Sequence, residues 1–384
     1  MNRTFALSAC LAMLLAACSG APSADGAKQT EAAPTAAAAP VTTKLEAIAS
    51  GLEYPWGIAF LPDGAMLVTE RAGRLRVIRN GQLDPTPVTG VPEVLASGQG
   101  GLFDVALHPR FAENQLIYLA LAGGDDRANA TRIVRARFDG KALADVKEVF
   151  RASPDKAGDA HFGGRILFLP DETMIVTLGD GFAYREQAQN LKSDLGKIVR
   201  LRDDGSVPSD NPFVGKAGAR GEIWSYGHRN VQGILRDPTT GAIYANEHGP
   251  MGGDELNLIA PGKNYGWPVI TYGRDYNGAV ISPYTERPGM EQPLTYWVPS
   301  IATAGMSMYA GDLFPQWKGD IFIAALAGAH VRRVDMEGGK VIGQETLFAD
   351  QQARFRHVAA GPDGALYLLT DDLDGRVLKV TPAG

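Results

Sequence analysis

A six-bladed β-propeller is the fold this sequence predicts, and three observations predict it. A unit made of an apolar strand, a tight turn and a second apolar strand recurs six times after Leu45. The units are separated by roughly 45 to 75 residues, an irregular spacing that blades with long loops tolerate and a simple solenoid does not. The stretch "KLEAIASGL", ahead of the first unit, reads as an extra strand that closes the ring by completing the last blade. A generic all-β sandwich is the competing architecture.

Composition agrees with a folded chain of this size. The 384 residues carry a net charge of −6, with 45% hydrophobic and 21% charged residues, which is ordinary for a soluble protein able to bury a large core. Length alone suggests roughly two domains, a prior that the repeats override. Mild acidity without a long Lys/Arg run argues against nucleic acid as the main partner.

The chain divides into three segments. Residues 1–17 read as a signal peptide: Arg3 supplies a short positive start, and "TFALSACLAMLLAA" is an apolar run too short to span a bilayer comfortably. It ends in Leu15-Ala16-Ala17-Cys18, which resembles the bacterial lipobox. That resemblance implies cleavage before Cys18, acylation of its thiol, and a lipid anchor on the periplasmic side of a membrane. Ser19 fits sorting to the outer membrane, whereas an ordinary secretory signal is the alternative. Of the two cysteines, Cys10 lies in the removed part, so the mature chain has no disulfide to form. Residues 18–43, rich in Ala, Pro, Ser and Thr, read as a flexible tether.

Residues 44–384 form the propeller. Its units are "WGIAFLPDGAMLVTE", "GLFDVALHPRFAENQLIYLAL", "GRILFLPDETMIVTLGD", "QGILRDPTTGAIYANEHG", "GMSMYAGDLFPQWKGDIFIAAL" and "RHVAAGPDGALYLLTDD". Pro-Asp-Gly or a relative occupies the turn because Pro presets φ and Gly or Asp tolerates the tight backbone after it. The flanking runs are rich in Ile, Val, Leu, Phe and Tyr. "GRLRVIRNGQ" and "GRVLKVTP" read as third strands of the first and last blades.

Hairpin geometry then locates a site. The residue before the first strand and the residue after the second lie at the same end, opposite the turn. His161 and Asp180 therefore meet although nineteen positions apart. The same reasoning brings Gln99 to the second unit, Arg229-Asn230 to Glu247-His248-Gly249-Pro250, and Arg354 and Arg356 to the sixth. All these polar clusters converge on one face, around the central channel, which is where a ligand site belongs.

Each cluster has chemistry of its own. Arg354 and Arg356 are two apart, so both point to one face of an extended strand. Two guanidiniums side by side ask for an anion between them, such as a carboxylate or phosphate. In "EHGPMGGDELNLI", the carbonyls of Gly249 and Pro250 with Asp254 and Glu255 nearby suit calcium, although the stretch taken alone reads first as a capped turn. His161, His228 and His248 come from separate loops without a close-spaced ligand pair, which argues against zinc. No Rossmann fingerprint, P-loop or Gly-x-Ser-x-Gly elbow is present.

The stretches "AHFGGR…TLGDG", "SYGHRNVQGI", "EHGPMGGDELNLI…NYGWP" and "RFRHVAAGPDGALYLLTD" resemble the quinoprotein glucose/sorbosone dehydrogenases. These are soluble aldose sugar dehydrogenases that use pyrroloquinoline quinone (PQQ) and have a six-bladed propeller. The resemblance spans roughly residues 45 to 382, with the motifs in the family's order. It implies that His161 is the general base, that Asp180 orients it, and that Gln99 lies near the reacting centre. It further implies that Arg229 acts in catalysis and, with Asn230, contacts the quinone, and that Gln232 belongs to the same motif. By the same resemblance Gly249 and Pro250 give backbone ligands to a calcium ion, and Arg354 and Arg356 pair with the cofactor's carboxylates. The implied reaction is oxidation of an aldose at C1 to a lactone, with electrons passing on to an external quinone or cytochrome. Two positions depart from the family pattern: Ala327 stands where a lysine often reaches the cofactor, and Val298 where a tryptophan precedes the proline. A calcium-dependent hydrolase such as a lactonase and a propeller that only binds its ligand are the competing functions.

Overall fold

The computed structural model describes residues 41–383, so the signal segment and Cys18 lie outside the described residues. Six four-stranded antiparallel sheets carry the fold. In the first five, sequence order is spatial order. The first blade, for example, runs Pro55–Phe60, Met66–Glu70, Arg74–Arg79 and Gln82–Leu83. The sixth combines Phe355–Ala360, Leu366–Thr370 and Gly375–Pro382 with Thr43–Leu52 from the other end of the chain. Thr43 pairs with Pro382 and Leu52 with Gly375. The predicted closure is present, and the closing strand starts at Thr43, the last residue of the predicted tether.

Burial explains why the repeats read as apolar runs rather than clean alternations. Met66–Glu70, Met174–Leu178, Ile243–Glu247, Ile321–Ala325 and Leu366–Thr370 are buried at every position. Each is covered on both faces by neighbouring blades, so both faces need apolar side chains. The outer strand Lys340–Leu347, with one face in water, alternates strictly. Apolar clusters fill all six gaps between adjacent blades, from Leu67 with Val105 to Tyr367 with Ile58.

The Pro-Asp turns behave as predicted. After the first strand, Leu61 and Ala65 close the turn at 2.8 Å, with Gly64 at φ 84° and the Asp63 carboxylate accepting the Ala65 N–H. Glu172 holds the equivalent left-handed position in the third blade, at φ 61°. The second and fifth units differ in detail: a helical turn, Phe111–Asn114, and a 3₁₀ turn, Pro315–Trp317, occupy their longer connections.

At the opposite end every innermost hairpin carries a register irregularity near the start of its first strand. An irregularity of this kind kinks the strand and re-aims its side chains. Here it acts six times around one axis. Polar side chains on the second strands tie the blades together there. The Thr177 hydroxyl donates to the Val231 carbonyl at 3.2 Å, and the Asn246 amide to the Ala304 carbonyl at 2.9 Å.

Candidate active site

All six blades contribute to a cavity of about 200 Å³ at the end opposite the Pro-Asp turns. Trp56 and Arg71 come from the first blade, Gln99 and Phe103 from the second, and Gly163 from the third. Gln232 and His248 come from the fourth, Leu326 from the fifth, and Arg354, Arg356 and Asp371 from the sixth. Of the residues expected at these hairpin ends, Gln99, Gln232, His248, Arg354 and Arg356 line it, whereas His161, Asp180, Arg229, Asn230, Gly249 and Pro250 do not.

His161 borders this cavity through Gln99, whose side-chain oxygen accepts the His161 N–H at 2.9 Å. The histidine backbone is left-handed, at φ 54°, a conformation non-glycine residues hold only when their surroundings enforce it. Its Nδ1 lies 2.7 Å from Asp180 Oδ1. Asp180 is fixed in turn by the Trp267 indole N–H at 2.8 Å on Oδ2 and the Phe182 N–H at 2.8 Å on Oδ1. Burial pushes the Asp180 carboxyl up, but the hydrogen bond and charge of His161, the charge of Arg229 and the Phe182 N–H together hold it below the usual range. Burial pushes His161 down, against the pull of Asp180 and with help from Arg229. An ionised Asp180 accepts only, so Nδ1 carries the proton and Nε2 is the ring's basic atom.

Arg229 is buried and spans the fourth blade's end. Its Nη1 donates to the Gly249 carbonyl at 2.7 Å and the His248 carbonyl at 3.2 Å, and its Nη2 to the Tyr276 hydroxyl at 3.3 Å. Asn230 works differently from its neighbour. Its side-chain oxygen accepts the Gly163 N–H at 3.1 Å and a Gln232 amide hydrogen at 3.2 Å, tying the fourth blade to the third. His228 is buried between Glu247, at 2.9 Å, and the Ser225 hydroxyl, at 2.8 Å. His248 lies against the Thr303 carbonyl, and burial depresses its pKa to about 3.

The arginine pair corrects one expectation. An anion does lie between Arg354 and Arg356, but it is the chain's own Asp371. Oδ2 accepts from Arg354 at 3.0 Å and Oδ1 from Arg356 at 3.3 Å. Asp371 sits opposite Arg354 in the hairpin, as Asp180 follows its own second strand, so the repeat contained the signal. Sequence reasoning also missed Arg71, which lines the same cavity, and Trp267. Three guanidiniums against one carboxylate leave a surplus of positive charge. The buried Arg356 Nε has no hydrogen-bond partner. A polyanionic flat ligand such as PQQ fits this donor set.

Calcium fits less well. Arg229 already occupies the Gly249 carbonyl, and Pro250 beside it is buried. Both Asp254 oxygens are taken, by the Ser300 hydroxyl and by the N–H groups of Gly249, Ile301 and Ala302. Asp254 is thus the anchor of a turn and not a free ligand, which is the capped-turn reading of that stretch. Among the described residues no group of three or more His, Cys, Asp or Glu could hold a metal. Two carbonyls fall well short of the six to eight oxygens calcium takes. The two departures lie at the surface: Ala327 is exposed beside Leu326, and Val298 is 60% exposed over Gly252.

The glucose/sorbosone dehydrogenase family model matches residues 52–379. Over 351 residues the chain is 44% identical to aldose sugar dehydrogenase YliI of Escherichia coli strain K12, covering 90% of this chain and 94% of that protein. The crystal structure of the soluble aldose sugar dehydrogenase from Escherichia coli in the apo-form superimposes with a TM-score of 0.86 at 42% identity, covering 89% of this chain and all of that one. The PQQ-bound form of aldose sugar dehydrogenase from Streptomyces coelicolor matches with a TM-score of 0.74 at 30% identity, covering 90% and 99%. With a family match over most of its length and the same propeller throughout, this chain belongs to the glucose/sorbosone dehydrogenase family.

Proposed function

We propose that this protein oxidises aldose sugars at C1, taking the anomeric hydroxyl proton on His161 Nε2 and yielding a lactone. The observation that carries the reading is the His161–Asp180 pair at 2.7 Å beside a cavity with surplus guanidinium charge. PQQ, when bound, supplies the electrophilic carbonyl that takes up the hydride from C1. Arg354, Arg356 and Arg71 would hold its carboxylates, with Gln99 and Gln232 offering amide contacts at the same cavity. His161 is buried and neutral, so its lone pair is available to the sugar at neutral pH. Asp180 holds the proton on Nδ1 and stabilises the imidazolium that forms, while the Trp267 indole stops the carboxylate from rotating. Arg229 places fixed positive charge beside the reacting groups. A hydrolase would need carboxylates free to converge on a metal, and Asp254 is committed elsewhere.

Calcium belongs to the proposal as an ion that would bind with the cofactor, whose carboxylates would supply oxygens the chain lacks. The test is to titrate the apo-protein with PQQ, with calcium and with chelator, and then to assay dye-linked oxidation across aldoses. The proposal expects quinone binding, turnover with at least one aldose, and weaker binding in chelator. Absence of turnover with a bound quinone would refute the reaction, and equal affinity in chelator would remove calcium.

The pH profile is set by the base. Burial favours the uncharged imidazole, so His161 stays neutral to a pH below the ordinary histidine value of about 6.5. The acid limb of kcat/KM should therefore fall below that pH. Asp180→Asn removes the group that favours the imidazolium, so the limb should move further down while kcat also falls. A limb that shifts upward in this variant would contradict the assignment.

We further propose that Cys18 anchors the protein to the periplasmic side of a membrane through lipid, with the propeller carried on residues 18–43. Cys18→Ser should move the protein from the detergent phase to the aqueous phase in phase partitioning. Aqueous partitioning of the unaltered protein after normal lipoprotein processing would overturn the anchor.

A further inference from the structure

Lys197 opens the third strand of the third blade, Lys197–Leu201, with its side chain wholly buried. An ammonium taken out of water destabilises a fold unless its three donors are all used. Here they go to the carbonyls of Gln187 at 2.7 Å, Leu195 at 2.8 Å and Ala188 at 3.0 Å. Two of those carbonyls lie in the 3₁₀ turn Arg185–Gln189, which begins five residues after Asp180. An apolar residue would serve packing alone better than a buried charge does.

The turn so held leads to the base by two routes. Along the first, Gln189 Nε2 donates to the Trp267 carbonyl at 2.8 Å and to Asn264 Oδ1 at 3.0 Å, while Asn264 Nδ2 donates back to Gln189 Oε1 at 2.8 Å. Asn264 Oδ1 also accepts the Gly266 N–H at 2.9 Å, so this amide pair grips the backbone on both sides of Trp267. Along the second, the Ala188 carbonyl accepts the Gly227 N–H at 3.0 Å, and the Gly227 carbonyl accepts the Trp267 N–H at 2.9 Å. Both routes end on the residue whose indole N–H reaches Asp180 and whose ring lies 5.3 Å from the Arg229 guanidinium.

We infer that Lys197, Gln189 and Asn264 are positioning residues for the general base, acting through Trp267. The inference rests on the reading of His161 as that base and deepens it. Supporting hydrogen bonds of this kind lock a reactive constellation in its productive geometry. They also set its basicity. A donor on Asp180 Oδ2 draws charge from the carboxylate. With that donor loosened, Asp180 favours the imidazolium more strongly, and His161 gains its proton at a higher pH. Arg229, Lys156 and His248, the other titratable groups that act on the imidazole or feel its charge, are left in place by such a change.

The test compares the PQQ-loaded parent with Trp267→Phe, which deletes the indole donor, and Gln189→Met, which keeps the length of the side chain and removes its donors. Gln189→Met should lower kcat roughly three- to tenfold, because the indole is less firmly aimed, with KM and quinone affinity near the parental values. In both variants the acid limb of kcat/KM should move up, opposite to its movement in Asp180→Asn. Lys197→Met should shift the limb in the same direction; where it unfolds the protein, Gln189→Met decides the question. Proton NMR of the cofactor-free protein supplies a readout independent of turnover. The His161 Nδ1–H resonance should move downfield in Trp267→Phe and, to a smaller extent, in Gln189→Met, as the bond to a more basic carboxylate strengthens. A merely structural tie would lower the melting temperature and leave limb and resonance unmoved. That result in Gln189→Met, or a limb that moves down, would overturn the inference. The expected resonance shifts in a protein whose parent oxidises no aldose would instead overturn the proposed reaction and leave the positioning of Asp180 standing.

Discussion

Replacing His161 with alanine is expected to lower kcat by about 10²–10⁴ while leaving quinone affinity close to that of the parent, because a positioned general base contributes that much to rate. The separation of effects comes from the geometry. His161 contacts Asp180, Gln99 and Phe182, whereas the guanidiniums assigned to the cofactor come from the first and sixth blades. The variant removes the proton acceptor and none of those charges. Single-turnover oxidation measured beside a quinone titration distinguishes the two quantities. A variant that keeps parental turnover with an aldose the parent oxidises would show that another group takes the proton. Asp180 also anchors Trp267 and the Phe182 backbone, so thermal unfolding should accompany the kinetics to confirm that the loop still folds.

The second large effect is expected at Arg356. Arg356→Ala should weaken quinone binding by at least a hundredfold, since a hydrogen bond to a charged group contributes about 1.5–3 kcal/mol and a guanidinium can make two. Arg354→Ala should cost less. The two residues look equivalent in sequence, two positions apart on one strand, but the structure separates them: the Arg354 side chain is 53% exposed and that of Arg356 only 9%. Water screens the first and not the second. Arg356→Ala also leaves Asp371 with Arg354 as its remaining partner in that pair, so some loss of thermal stability should accompany the loss of affinity. Arg356→Lys should recover part of the binding through charge alone. Parental affinity in Arg356→Ala would mean that the cofactor does not occupy this cavity.

Ala327 lies close to this cluster, because the neighbouring Leu326 carbonyl accepts from Arg354 at 3.3 Å. The lysine that the family resemblance leads one to expect at this position would add a cation beside an existing one. Arg354 therefore stands near the place where that charge is missing, and on the proposed reading quinone affinity would depend correspondingly more on the arginines.

The sequence alone determined the number of blades, the closing strand and the end of the propeller where the candidate cavity lies. It also determined which residues face each other within one hairpin. His161 meets Asp180, and Arg229 meets Glu247 through its N–H at 2.6 Å. These pairings are fixed by antiparallel register, a local property in which turn position and strand length decide who is opposite whom. Asp371 was legible by the same rule. It went unassigned because two adjacent arginines suggested an anion from outside the chain.

What only the tertiary structure decided lies between blades and in the long loops. Trp267 reaches Asp180 across 87 positions, Asn230 locks onto Gly163, Arg229 turns to the Gly249 carbonyl, and the Tyr276 loop brings its ring alongside Phe182. None of these contacts can be read from strand periodicity. Each depends on how far one twisted sheet is rotated against the next and on the path of a loop held by its own ion pairs. Those quantities are set by the packing of the apolar clusters between blades, a sum of many small contacts that no single stretch of sequence displays.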